Sequence, residues 1–136
     1  MRFLIVDDDC ETRLLLRKTL EPYGSVSIAA DGEECILAFT TALRQKKPFY
    51  LITLDILMPN LDGQDALREI REIEAEYDIP PEERTPVIMI SGLENSKEVQ
   101  DTYSLGSTVG YIEKPINTKT LLDVIAKLGV TLTKTK

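Results

Sequence analysis

Short, unbroken apolar runs alternate with helical apolar stripes five times along this chain, and that alternation leaves very few folds open. The first run, Phe3-Leu4-Ile5-Val6, has no polar residue among its apolar ones, so the strand it forms must be covered on both faces. A strand at Arg2–Val6 leads into a helix from Asp9 or Cys10 to about Tyr23, with Leu14, Leu15, Leu16 and Leu20 as its stripe and Gly24 as its stop. Ser25–Ala30 predicts a second strand, followed by a helix from Glu33 to Arg44 that turns Ile36, Leu37, Phe39 and Leu43 inward. Phe49–Leu54 predicts the third strand, and Gln64 to about Glu76 its helix, through Leu67, Ile70 and Ile73. A polar, Pro-rich connection at Asp78–Thr85 precedes a fourth strand, Pro86–Ile90, and a fourth helix, Ser96 to Leu105. Val109–Glu113 and Thr118–Leu128 supply the last strand and helix. The expected class is α/β: a doubly wound, five-stranded parallel sheet with helices on both faces. The pattern leaves the strand order open.

With 136 residues, 43% hydrophobic and 29% charged, the chain reads as one globular domain. No apolar run has the length of a membrane span, and the first residues enter a strand pattern rather than a signal peptide; a cytoplasmic location is the expectation. The net charge is −7 and the basic residues are scattered, which argues against nucleic acid binding by this domain. Cys10 and Cys35 lack Cys-x-x-Cys spacing and read as core or half-buried thiols. Histidine is absent, so a Ser/His/Asp triad, a His-ligated metal and a phosphohistidine relay within the chain are excluded.

Chemistry gathers where strands end. Asp7-Asp8-Asp9 follows the first strand, Asp55 ends the third, Ser91 the fourth, and Lys114 follows the fifth. In an open parallel sheet those ends border one crevice, where ligands bind. Asp9 in isolation reads as a helix cap. Three further acids clustered at strand ends would repel one another, and a hard cation such as magnesium removes that repulsion. Lys114 stands where an ammonium would neutralise a phosphoryl group, and Ser91 where a hydroxyl would donate to it.

Taken in order, Asp7-Asp8, Asp55 with Met58-Pro59 and Asp62-Gly63, Ser91, and Tyr111 followed by Lys114-Pro115 resemble the receiver domain of two-component response regulators. The resemblance runs from Arg2 to Leu128, implying a receiver domain over 1–128 with the flavodoxin/CheY-like fold and a polar C-terminal tail over 129–136. It further implies Asp55 as phosphoacceptor, and Asp7, Asp8, Asp55 and the Leu57 backbone carbonyl as magnesium ligands. Lys114 and Ser91 are the implied catalytic partners, Ser91 and Tyr111 the implied switch, and the Lys114–Pro115 bond is similar to one commonly cis in the family. By the same resemblance Leu57 and Leu93 match positions that border the path of hydrolytic water in the family; both are apolar, which implies a long-lived phosphorylated state. Two departures are visible: extra residues around Ile79–Thr85, read as a surface insertion, and one extra residue between Gly106 and Tyr111.

Implied partners are a sensor histidine kinase or phosphotransfer protein and a downstream protein docking on the 93–128 face, where Val99 and Tyr103 are candidate contacts. A phosphorylation-dependent homodimer is another expected readout. The chain is expected to be no enzyme apart from catalysing its own phosphotransfer and dephosphorylation. Met1 opening directly onto a strand reads as a native start, with a receiver excised from a longer regulator and a phosphate-relay intermediate as alternatives. An aspartate-nucleophile phosphatase is the rival enzyme class, since Asp7-Asp8-Asp9 satisfies its Asp-x-Asp arrangement. Such enzymes need a second acidic pair late in the sheet, and only Asp123 follows Lys114.

Overall fold

The computed structural model describes residues 1–56, 63–91 and 109–134, with Ser91 by its backbone alone. Strands β1 (Arg2–Val6), β2 (Ser25–Ala29), β3 (Leu51–Asp55), β4 (Val87–Ser91) and β5 (Val109–Glu113) form one sheet in the order β2-β1-β3-β4-β5. Every neighbouring pair is parallel. Helices α1 (Cys10–Leu20), α2 (Gly32–Arg44), α3 (Gly63–Glu76) and α4 (Thr118–Lys127) accompany them, with short 3-10 turns at Glu21–Tyr23 and Pro81–Glu83. The helix expected at Ser96–Leu105 lies outside the described residues. Strand order reverses between β1 and β3, placing a crevice beyond their C-terminal ends.

Side-chain alternation along the strands builds two cores. Leu4, Val6, Ile52, Leu54, Val87 and Met89 face one way and pack with Phe39 of α2 and Leu67 and Ile70 of α3. Phe3, Ile5, Leu51, Ile88, Ile90 and Ile112 face the other way, against Leu16 and Leu20 of α1 and Leu121 and Ile125 of α4. That double coverage is the physical reason β1 carries no polar alternation. Asp9, Asp31 and Asn117 cap α1, α2 and α4, their side-chain oxygens accepting from the backbone N–H of Glu11, Glu34 and Thr120. Gly110 lets β5 approach α4 closely: a Cβ there would lie 2.8 Å from Val124 Cγ1.

Several details depart from the periodicity. Leu14 is 53% exposed and Leu37 69% exposed; at 100° per residue three consecutive leucines cannot all face one core, and α1 buries Leu16 instead. Cys10 is exposed, while Cys35 is buried, and burial with the nearby Glu69 charge pushes the Cys35 thiol up to about 12. Phe49 is buried but precedes β3 rather than opening it. Beyond α4 the chain is not simply a solvated tail, since Val130 and Leu132 pack on the second core and the Tyr50 hydroxyl donates to the Thr131 carbonyl at 2.9 Å.

The insertion is anchored rather than loose. Pro81–Glu83 forms one 3-10 turn. Next to it, the 1%-exposed Glu74 accepts from the Thr85 backbone N–H at 2.8 Å and from Arg71 at 2.7 Å. Arg71 also donates to the Thr85 carbonyl at 3.0 Å, and the Thr85 hydroxyl donates to the Phe49 carbonyl. These bonds tie the end of α3 to the chain entering β4.

Candidate functional site

Four of the predicted residues meet at the C-terminal rim. The β1–β3 register pairs Val6 with Leu54, which brings Asp7 level with Asp55. Asp7 extends the ladder past β1, its N–H donating to the Ala29 carbonyl at 3.2 Å. Lys114 follows β5 through a bend closed by a cis Lys114–Pro115 bond. Its Nζ lies 3.3 Å from Asp55 Oδ2 and 3.5 Å from Asp7 Oδ2. Asp8 stands exposed beside the buried Asp7 and Asp55, and one carboxylate oxygen from each of the three falls within 4.8 Å of the others.

Asp7 Oδ1 accepts from the Asp9 N–H at 2.8 Å. Asp7 Oδ2 is buried with no hydrogen-bond donor among the described residues, facing only the ammonium at its ion-pair distance. Three acids, one of them with a buried and underused oxygen, form a donor set suited to a hard, oxygen-seeking cation. Asp9 is turned away from that duty: it caps α1 and accepts from the Thr12 hydroxyl at 2.7 Å, and the Thr12 bond is the main cause holding its carboxyl below the usual range. Of the acidic triplet, Asp9 is thus the helix cap, and Asp7 and Asp8 are the members that cluster with Asp55.

Electrostatics follow burial. Desolvation lifts Asp7 from an ordinary 3.8 to about 6, opposed by the Asp9 N–H and the Lys114 charge and reinforced by Asp55. Burial pulls the Lys114 ammonium down, but the Asp7 and Asp55 charges outweigh it, and its pKa sits above the ordinary value.

A pH dependence results. A carboxyl whose folded pKa is raised contributes stability that is complete below 3.8 and lost as pH rises through about 6. In chelator, the wild type should lose roughly 1 kcal/mol relative to Asp7→Asn between pH 5 and pH 7.5. Asp9, shifted the opposite way, is common to both proteins and cancels. Urea unfolding of the pair at the two pH values checks this; a constant difference would contradict it.

Gly63 is a contributor whose role the Asp62-Gly63 pair did not disclose beyond a turn. Its N–H donates to the Ile56 carbonyl at 2.9 Å, and a Cβ would collide with the Asp55 carbonyl oxygen. The start of α3 thus rests directly on the backbone that carries Asp55. A groove of about 530 Å³, lined by Asp9, Thr12, Leu15, Lys114, Pro115 and Ile116, opens beside the acids. A second cleft, of about 540 Å³ and bordered by Met1, Tyr50 and Val130, lies at the opposite end of the sheet, away from this chemistry.

The remaining predicted residues are placed less completely. Ser91 closes β4, its backbone opposite Glu113. Tyr111 is half-buried and packs on the first core. Leu57, Met58, Pro59, Asp62, Gly92, Leu93, Val99 and Tyr103 lie outside the described residues.

A parallel sheet with its strand order reversing at a rim of three acids and one lysine defines a receiver-type phosphoacceptor architecture. The chain belongs to the response regulator receiver domain family, whose model matches residues 3–126, and it is therefore a receiver domain of two-component systems. It is 38% identical over 119 residues to the probable transcriptional regulator ycf27 of Cyanidium caldarium, covering 87% of this chain and 42% of that protein. The receiver domain of the Arabidopsis thaliana histidine kinase CKI1, solved with Mg2+ and BeF3-, superimposes with a TM-score of 0.78 at 30% identity, covering 96% of this chain and 90% of that one. The Borrelia burgdorferi CheX-CheY-BeF3-Mg2+ complex gives a TM-score of 0.79 at 29% identity, with the same coverage. The chain spans less than half the length of the curated relatives it matches, from 11% of the CKI1 kinase to 44% of the ycf27 protein of Porphyridium aerugineum. Among the described residues no helix is long and apolar enough to cross a membrane.

Proposed function

We propose that Asp55 accepts a phosphoryl group from a phosphohistidine on a sensor histidine kinase or phosphotransfer protein, and that phosphorylation then alters docking to a downstream protein. The observation that carries this reading is the 3%-exposed Asp55 carboxylate, 3.3 Å from the Lys114 ammonium and clustered with Asp7 and Asp8. In the transfer an Asp55 oxygen bonds to phosphorus as the donor's P–N bond breaks, its electron pair returning to the imidazole nitrogen. Lys114 neutralises charge on the phosphoryl oxygens, and the Ser91 hydroxyl donates to one of them. Magnesium, held by Asp7, Asp8, Asp55 and the Leu57 carbonyl, would offset the repulsion between acids and phosphoryl group. Solved relatives bearing Mg2+ and BeF3- support that cofactor.

The protein catalyses its own phosphorylation and dephosphorylation and acts in the cytoplasm. The output is a shift between two states of the 93–128 face, with Tyr111 as part of the switch and partner docking or self-association as the readout. Passing phosphate onward, as a relay or as part of a longer regulator, uses the same site.

Incubation with acetyl phosphate followed by intact-mass measurement tests the reading. A single phosphoryl adduct should form with magnesium and disappear in excess chelator; equal labelling in both would overturn it. After donor removal the adduct should outlast seconds, and Leu57→Asn/Leu93→Glu should shorten its life. Leucine side chains cannot orient an attacking water, so decay within seconds in the wild type would contradict the lifetime argument.

A further inference from the structure

Two side-chain atoms are buried without a hydrogen-bond partner among the described residues: Asp7 Oδ2 and Thr53 Oγ1. Asp7 is 0% exposed and Thr53 1%. They belong to adjacent strands and to one face of the sheet. Ile5 pairs with Thr53 and Val6 with Leu54, so Asp7 stands one strand across from Thr53 and one pleat nearer the rim. Strand alternation puts Thr53 on the side of Leu51, Ile5 and Ile88, all members of the second core.

Thr53 is thus a lone hydroxyl in an apolar layer, flanked across the sheet by Ile5 and Ile88. Valine has the same shape without the polar atom, and a buried hydroxyl with no partner is costlier than a methyl group. Asp7 and Asp55 stand two residues nearer the rim, at the next level on the same face of the sheet. Two residues of strand advance about 6.6 Å and the step between strands adds about 4.8 Å across, a diagonal of about 8 Å between the two Cβ positions, while one water bridging two oxygens holds them about 5.6 Å apart. A carboxylate and a hydroxyl extending toward one another shorten that diagonal to about the span of a single water, and internal waters join such underused buried groups.

We propose that Thr53 is a positioning residue of the acidic site, hydrogen-bonded through one internal water to Asp7 Oδ2. The water donates to the carboxylate oxygen and holds its plane, and the Thr53 hydroxyl anchors the water from below. This deepens the proposed metal site, on which its functional half rests: a ligand carboxylate is oriented by the partner of its outer oxygen.

Thr53→Val and Thr53→Ser in the whole 136-residue chain decide the matter. In excess chelator, Thr53→Val should unfold at lower urea than wild type, because Asp7 loses its hydrogen-bond donor; Thr53→Ser, which keeps the hydroxyl, should restore the midpoint. Magnesium titration should show about tenfold weaker binding by Thr53→Val, recovered in Thr53→Ser. A Thr53→Val protein more stable than wild type in chelator would overturn the bridge, and unchanged magnesium affinity would overturn the positioning role. Should the wild type itself fail to bind magnesium, the metal reading falls, while the order of unfolding midpoints still decides the bridge.

Discussion

Asp55→Asn is expected to abolish phosphoryl labelling while leaving the protein folded. The substitution removes the nucleophilic oxygen and replaces it with an amide that cannot form the acyl phosphate. The variant does not strand a charge, because Lys114 keeps Asp7 as an ion partner at 3.5 Å. It also relieves a repulsion, since the Asp55 charge is one of the causes lifting the Asp7 pKa. Stability in chelator should therefore equal or exceed that of wild type. Intact mass after acetyl phosphate treatment, with a urea unfolding curve on the same sample, checks both parts. Labelling that persists in Asp55→Asn would place the acceptor on another carboxylate.

The second large effect lies far from the rim. Glu74→Ala should cost about 3–5 kcal/mol of unfolding free energy, because it leaves Arg71 and the Thr85 N–H without their shared buried acceptor. The Arg71 and Glu74 side chains are 10% and 1% exposed, so water cannot readily replace the lost bonds. Glu74→Gln retains an oxygen for the Thr85 N–H and should cost less, about 1–3 kcal/mol. Chemical denaturation of the two variants measures the difference. A cost below about 1 kcal/mol for Glu74→Ala would mean that the insertion is not held by this cluster.

The contrast between rim and insertion shows which features a linear chain displays. Acids immediately after apolar runs are visible because strand direction delivers every C-terminal end to the same rim. All five strands were legible to within a residue or two, and Asp7, Asp8, Asp55 and Lys114 were recognisable as neighbours before the strand order was known. The Glu74 cluster was invisible for the opposite reason. Its members come from helix, loop and strand entry, separated by 11 and 36 positions, and a Glu at a helical position reads as solvated until the insertion folds over it. Leu14 and Leu37 face solvent despite lying in apolar runs, because helix rotation brings only part of such a run to the core. Thr53 gave no warning, since threonine is a common strand residue and only its register beneath Asp7 and Asp55 makes the hydroxyl notable.

The packing of the final residues bears on how such a module can be wired into other polypeptides. Met1 accepts a backbone hydrogen bond from Ser25, the Thr131 carbonyl is held by Tyr50, and Met1, Gly129 and Val130 border the same cleft. Both ends of the folded body thus emerge at one pole, with the acids at the other. A cassette with that polarity can be spliced into a larger chain at a single point, as a lamp hangs from one fitting, because neither end leaves the folded body beside its acids.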